Sequence, residues 1–323
     1  MNSEEIIKWL LQGDVAIQYQ VYRDLIGEET CPPVCRQGRS GRRGKSLQEK
    51  IEREGWGKQY LSKRNENGHW GQKFYQPKWI STHYTVLDLK NLSISPECSI
   101  IQETISKVLT ETKADDGGIL PIGEMRNSDM CINGMVLNYA SYFRSDENDL
   151  KSVVDNILSQ QLADGGFNCR LNRSGARHSS LHTTISVLEG IFEFYKNNYT
   201  YRMDELLKVK AQAEEFILMH RLYKSDKTGE IIDKRFLNLP YPSRWRYDNL
   251  RALDYCQHAG VSYDERMQDA IDALLNKRTK DNVWKLQANH PGQLHFHMEQ
   301  VGKPSRWNTL RALRVLRRFN IEI

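Results

Sequence analysis

Asp164-Gly165-Gly166-Phe167-Asn168 decides how this chain is read, because the same kind of turn returns at nearly constant spacing. Asn67-Gly68-His69-Trp70-Gly71 and Asp116-Gly117-Gly118-Ile119 precede it, Asp281-Asn282-Val283-Trp284 follows it, and a weaker copy, Asp226-Lys227-Thr228-Gly229-Glu230, lies between. The first three begin at 67, 116 and 164, and a period of roughly 50 residues is the signature of an array of structural repeats.

The surroundings of each turn say what is repeated. Before Asp164 the apolar residues Val153, Val154, Ile157, Leu158 and Leu162 fall at three- and four-residue spacing, the period of an amphipathic helix. A polar loop and a second helix-like segment follow. The unit is therefore helix, turn, loop, helix, and the glycines suit the positive backbone angles that end a helix and reverse the chain.

At the N-terminus Ser3 to Leu11 reads as a helix broken by Gly13-Asp14, with Asp14 placed to cap a second helix from Val15 to about Ile26. Residues 46 to 65 are expected to form the outer helix of the next unit. This N-terminal pair and the five turns predict six helical hairpins. Six antiparallel pairs can close on themselves, leaving no open end to cap. The expectation is an all-α fold, an (α/α)6 toroid spanning residues 1–323 as one domain, with inner helices around a cavity and 28–46 a flexible connector.

Composition bounds the function. The chain of 323 residues is 39% hydrophobic and 27% charged, as in globular proteins, and has no run of 18 apolar residues to cross a bilayer. The start Met-Asn-Ser-Glu-Glu-Ile-Ile-Lys lacks the basic and apolar regions of a signal peptide, so a cytoplasmic protein is expected. The net charge of +5 is mild, and Arg36 to Lys45 supplies four arginines and a lysine of it; this reads as a solvated basic loop, with no nucleic-acid partner expected. Six cysteines are too few for a disulfide framework, and Cys31-Pro-Pro-Val-Cys35 has no second pair nearby to complete a metal clip.

The inner-helix starts carry the chemistry. They read Ser81-Thr82-His83-Tyr84-Thr85, Ser128-Asp129-Met130-Cys131, Ser179-Ser180-Leu181-His182-Thr183, Pro242-Ser243-Arg244-Trp245 and Pro304-Ser305-Arg306-Trp307. His83, Cys131 and His182 occupy comparable places. One mouth of the cavity would thus gather imidazoles, a thiol, a carboxylate and positive helix ends, a set suited to a metal ion or an anion. Singly, each has a plainer reading: Cys131 as a buried filler and Asp129 as a helix cap.

On these residues the chain resembles the terpenoid cyclase and protein prenyltransferase superfamily, most of all the prenyltransferase β-subunits. There a glycine-containing turn leads to an Asp-x-Cys pair at an inner-helix start, and a His-Thr one repeat later completes a zinc site. Here Gly117-Gly118 leads to Asp129-Met130-Cys131, and Gly165-Gly166 to His182-Thr183. The likeness of the repeats covers most of residues 50 to 323; the metal motif covers two of them. It implies a Zn2+ ion at Asp129, Cys131 and His182 that activates a thiol or water, with isoprenoid transfer or cyclisation as the reaction. A small isoprenoid-like molecule or a peptide thiol would be the substrate, and the protein would work in the cytoplasm or at a membrane surface. It further implies an aromatic-walled cavity, for which Trp79, Tyr84, Trp245 and Trp307 are candidates, beside His83 and His297 as substrate contacts. Gly123 and Ile132 stand where the family has Arg and Tyr, which leaves Arg126 to meet a diphosphate.

Other features stay open. Pro-Ser-Arg-Trp occurs twice, each time followed by Leu-Arg-Ala-Leu, and the Arg-Trp pairs read as anion contacts at inner-helix starts or as repeat packing. His290-Pro-Gly-Gln-Leu-His295-Phe-His297 reads as a substrate-lining loop, and Asp248 as a general acid. Two alternatives stand beside the isoprenoid reading. One is a carbohydrate-active toroid using Asp129, Asp248 and Glu189 as paired carboxylates; the other is a non-catalytic scaffold for a ligand or partner.

Overall fold

In the computed structural model, which describes residues 1–26, 39–121 and 127–322, the recurring turn is built the same way each time. Gly68, Gly117 and Gly165 have φ of 83°, 83° and 89°, and in the last copy Asn282 takes the same conformation at 60°. Glycine adopts it freely and asparagine more readily than most residues. The chain then folds back on itself: the N–H groups of Asn65, Ala114, Leu162 and Thr279 donate to the carbonyls of His69, Gly118, Gly166 and Val283.

The next residue, Trp70, Ile119, Phe167 or Trp284, is fully buried. Its N–H donates to a side-chain oxygen in the first turn of the following helix: Thr82 (3.0 Å), Asn133 (2.8 Å), Thr184 (3.0 Å) and Thr309 (3.0 Å). A buried N–H left without such a partner would cost about 1–3 kcal/mol. Each turn is therefore clamped to the helix it introduces. In the weaker copy Ser225 N–H still bonds Glu230, but Ile231 stays exposed and has no clamp.

The described residues are all-helical. The helices are α1 (Ser3–Leu11), α2 (Val15–Val21), α3 (Arg39–Ile51), α4 (Gly55–Leu61), α5 (Thr82–Asn91), α6 (Ser99–Glu111), α7 (Met130–Tyr142), α8 (Glu147–Ser159), α9 (Leu171–Ser174), α10 (Leu181–Lys196), α11 (Met203–Met219), α12 (Asn249–His258), α13 (Gln268–Leu275) and α14 (Arg306–Arg318). Extended backbone among the described residues forms only isolated bridges, such as Lys113 with Ile119.

Two kinds of helix alternate. α6 and α8 bury one stripe each, Ile101, Ile105 and Val108 in α6 and Leu150, Val153, Val154 and Ile157 in α8, as helices on the outside of a body do. α7 is buried at every position from Met130 to Ser141 and α5 from Thr82 to Leu89, which marks them as interior. α5 packs on α7, α7 on α10, α12 on α14, and α14 on α2. The last pairing joins the two ends of the chain: Arg314 Nη1 meets Asp24 at 2.9 Å, Arg306 Nε donates to Trp9 O at 3.1 Å, and Asn282 Nδ2 donates to Met1 O at 3.0 Å.

The N-terminal reading meets the structure closely, with Asp14 Oδ1 accepting from Ala16 N–H at 2.9 Å as the cap of α2. The second helix ends at Val21 and continues as a π-helical turn, Tyr22–Ile26. The helix expected over 46–65 is two, α3 and α4, separated by a break over residues 52–54, after which α4 starts at Gly55 (φ 60°). α3 begins at Arg39, so the later part of the expected connector 28–46 is helix; Cys31 and Cys35 lie outside the described residues. Among the described residues no helix is long and apolar enough to cross a membrane.

α7 and α10 touch backbone to backbone. A Cβ on Gly134 would stand 2.6 Å from the carbonyl carbon and oxygen of Ser186, and one on Gly190 2.4 Å from Gly134 O. Gly134→Ala is therefore expected to force the two helices apart and lower stability by about 2 kcal/mol, the usual cost of overpacking. Guanidinium denaturation beside the wild type checks this, and an unchanged midpoint would contradict it.

Candidate metal centre and central cavity

The close approach of α7 and α10 sets the first turns of both helices side by side. Asp129 caps α7, its Oδ1 accepting from Cys131 N–H at 3.0 Å. Cys131 Sγ lies 3.3 Å from Thr183 Oγ1 in the first turn of α10, and the same hydroxyl accepts from Cys169 N–H at 3.2 Å. Cys169 comes directly from the Asp164 turn. That turn can lie close because Gly166 carries no side chain; a Cβ there would stand 2.8 Å from Thr184 Oγ1.

Asp129, Cys131 and Cys169 thus form a compact group whose ligand atoms all lie within 4.8 Å of one another and could hold a metal ion. Two of the three residues are buried and Cys169 is half-buried. Ligand atoms of a tetrahedral zinc site stand about 3.5 Å apart, so small side-chain rotations would close the group. The thiol of Cys131 donates to Cys169, and burial adds to the effect, so Cys131 is pushed well up. Accepting that hydrogen bond pulls Cys169 down to about 6. Two cysteines beside a carboxylate are a donor set that fits zinc.

His182 is not a member of this group, which corrects the set Asp129, Cys131 and His182 expected from the sequence. Its Nδ1 accepts from Tyr247 N–H at 2.7 Å, and its ring packs against Phe236 and Trp245 at centroid distances of 5.3 and 5.1 Å. Burial, helped by the charge of Arg251, lowers it to about 4. The place expected for the histidine is taken by Cys169. A helix-by-helix comparison misses it, because it sits in the turn three residues after Gly166 and not at a helix start.

The other expected site residues are spread over the protein. His83 is fully buried among Phe74, Tyr75, Tyr84 and Tyr139, and burial, then the charge of Lys78, pushes it down to about 3. Tyr84 hydrogen-bonds Tyr75 through its hydroxyl at 3.0 Å, and Trp79 donates to Pro291 O at 2.6 Å and packs on His290. Trp245 lies between His182 and Lys78 Nζ, 5.0 Å from its ring. Trp307 is buried and stacked on Tyr241 at 4.6 Å. His297 is exposed, whereas His295 turns inward to Thr85 Oγ1 at 2.9 Å, so the two do not share a site. Asp248 is a buried cap with both oxygens engaged, one by Arg251 N–H and one by Ser243 Oγ, each at 2.8 Å. Arg126 lies outside the described residues.

A cavity of about 160 Å³ opens among the interior helices, and α2, α5, α7, α10, α12 and α14 all contribute to its wall. Of the four aromatics expected to line a cavity, Trp307 lines this one. Much of the wall is charged. Arg251 makes a two-pronged pair with Glu189 at 2.8 and 2.7 Å, Lys90 meets Glu193 at 3.1 Å, and Arg314 joins Asp24 and Asp254, both at 2.9 Å. Arg251 and Arg311 occupy the same place in the two Leu-Arg-Ala-Leu copies and both face the cavity. The Pro-Ser-Arg-Trp copies are not equivalent. Arg306 opens α14, whereas Arg244 lies in the loop before α12 with φ of 56°, which corrects the expectation that both Arg-Trp pairs begin inner helices.

Compared with known proteins, the chain matches no family model and no curated protein. The site must be judged on its own geometry.

Buried histidines set a pH dependence. His83 and His290 are lowered to about 3 and about 4 by burial, with Lys78 and Arg244 respectively adding to it. The unfolded chain takes up protons on both below about pH 6.5 while the folded chain does not, so stability falls with pH, by up to about 1.4 kcal/mol per unit for each. Urea denaturation at about pH 7.5 and about pH 5 is expected to show the loss, and His83→Phe to reduce its slope. Equal stability at both values would contradict this.

Proposed function

We propose that this chain is an enzyme of the prenyltransferase and terpenoid cyclase type. In this reading it is a ring of six helical hairpins that holds a zinc ion at Asp129, Cys131 and Cys169, with isoprenoid transfer or cyclisation as the reaction. The observation that carries the proposal is the convergence of those three side chains from two successive repeats onto one point. The ring is supported by the contact of α14 with α2 and by the cavity wall drawn from six helices.

Zinc bound by three protein groups with its fourth position open holds a thiol as thiolate, or polarises water, near neutral pH. The chain's own residues prepare that position. Cys131 N–H holds Asp129 Oδ1, and Thr183 Oγ1 bridges Cys131 Sγ and the backbone N–H of Cys169, so the start of α7 and the turn that carries Cys169 are held side by side. Arg251 reaches Ser186 Oγ at 3.3 Å on the neighbouring turn of α10, and its positive charge acts on Cys131 while its side chain lines the cavity. A substrate in the cavity would meet the stacked rings of Trp307 and Tyr241, whose faces can stabilise a developing cation. In this reading the substrate is a small isoprenoid-like molecule or a peptide thiol. The carbohydrate reading is less favoured, because Asp248 is engaged through both oxygens as a cap and Glu189 through both oxygens in its pair with Arg251.

Elemental analysis of untagged protein purified without chelator is expected to find about one zinc per chain. Cys169→Ala and Cys131→Ala should each lose it, and His182→Ala should keep it. Loss on His182→Ala with retention on Cys169→Ala would overturn the ligand set, and a wild type that takes up no zinc on titration would overturn the mechanism.

A further inference from the structure

The central cavity has more hydrogen-bond donors than the protein satisfies. Arg244, 4% exposed, gives Nη2 to Asp88 at 3.2 Å, while its Nε and Nη1 have no partner. Arg311, 5% exposed, gives Nε to Asp254 at 3.2 Å and leaves Nη1 without one. Trp307, 1% exposed, leaves its Nε1 unbonded. All three side chains line the same cavity. Buried N–H groups without acceptors are costly, most of all on a charged side chain, and a bound group that supplies the acceptors removes the cost.

Arg244 is held in place with unusual firmness. Its guanidinium lies over the rings of Trp79 and Tyr84, at 5.0 and 5.8 Å, and its backbone adopts the left-handed conformation that side chains other than glycine's seldom take. Such conformations gather where the surrounding structure positions a group for binding. The same wall offers one acceptor without a partner, Asn138 Oδ1.

We infer that this cavity is a binding site for a phosphate group, free or as a small phosphate monoester, held by Arg244, Arg311 and Trp307. Guanidinium groups match the oxygens of phosphate in geometry and charge. The lone acceptor of Asn138 favours a ligand that also carries a hydrogen-bond donor. Singly protonated phosphate or the hydroxyl of an ester supplies it; sulfate and simple carboxylates do not. Lys196, 46% exposed and part of the same wall, adds a positive charge that it shares with Glu193 at 3.9 Å. The site does not depend on zinc, so it stands or falls separately from the metal.

Titration calorimetry on the full chain treated with chelator, using inorganic phosphate, methyl phosphate and sulfate at low ionic strength, tests this. Phosphate or methyl phosphate should bind, with sulfate at least about fivefold weaker. Trp307→Phe, which removes one N–H and keeps the ring, should weaken binding about tenfold, and Arg311→Gln should abolish it. Binding of phosphate alone would identify the free ion, and binding of methyl phosphate as well would identify a phosphorylated molecule. If Arg311→Gln fails to fold by circular dichroism, Trp307→Phe decides. No binding of either phosphate by folded wild type up to about 10 mM, or equal binding by wild type and Trp307→Phe, would overturn the inference.

Discussion

One hydrogen bond recurs through this molecule and the rest depends on it: the buried N–H of the residue after four of the five turns, given to a hydroxyl or amide oxygen in the next helix. It fixes where a turn ends relative to where an interior helix begins. In the third copy the clamp is Thr184, and its neighbour Thr183 faces the other way to hold Cys131 and Cys169. The same geometry that repeats the fold therefore delivers a turn residue and a helix-start residue to one point. Gly134 and Gly190 complete the arrangement by letting α7 and α10 meet closely enough for Thr183 of α10 to reach Cys131 of α7.

The second constraint is electrostatic. Interior helices that surround a cavity carry charges whose removal from water is expensive, so each must be met by an opposite charge or a ligand. Glu189, Glu193, Asp254 and Asp24 meet most of the cations. Arg244 and Arg311 are met only in part, and both stand on the same cavity as Trp307. The protein thus has two chemically distinct groups of side chains, one of sulfur and carboxylate and one of N–H donors, and the charge of Arg251, which lines the cavity, is felt by Cys131 of the first.

The all-helical character, the turn positions and the first two helices were legible in the sequence because glycine spacing, capping residues and helical periodicity are local signals. Cys131 and Asp129 were legible for the same reason, standing at a helix start after a recognised turn. Cys169 was not, since nothing local says that a turn residue in one repeat reaches the helix start of the previous one; that depends on how closely two backbones approach. His182 misled because a histidine in the first turn of an interior helix has the right place along the chain, whereas its ring is claimed by Tyr247 N–H from a loop 65 residues further on. The cavity's character was less legible: the sequence pointed to the Arg-Trp pairs and to an aromatic wall, whereas the arginines of the doubled Leu-Arg-Ala-Leu, Arg251 and Arg311, are the ones both copies turn to the cavity, which follows only from the packing of α12 and α14.

X-ray absorption at the zinc edge on the loaded protein tests the central claim most directly, because sulfur and nitrogen ligands differ in distance and scattering. The account predicts two sulfur ligands at about 2.3 Å with oxygen making up the rest. A single sulfur accompanied by the multiple-scattering pattern of an imidazole would contradict it.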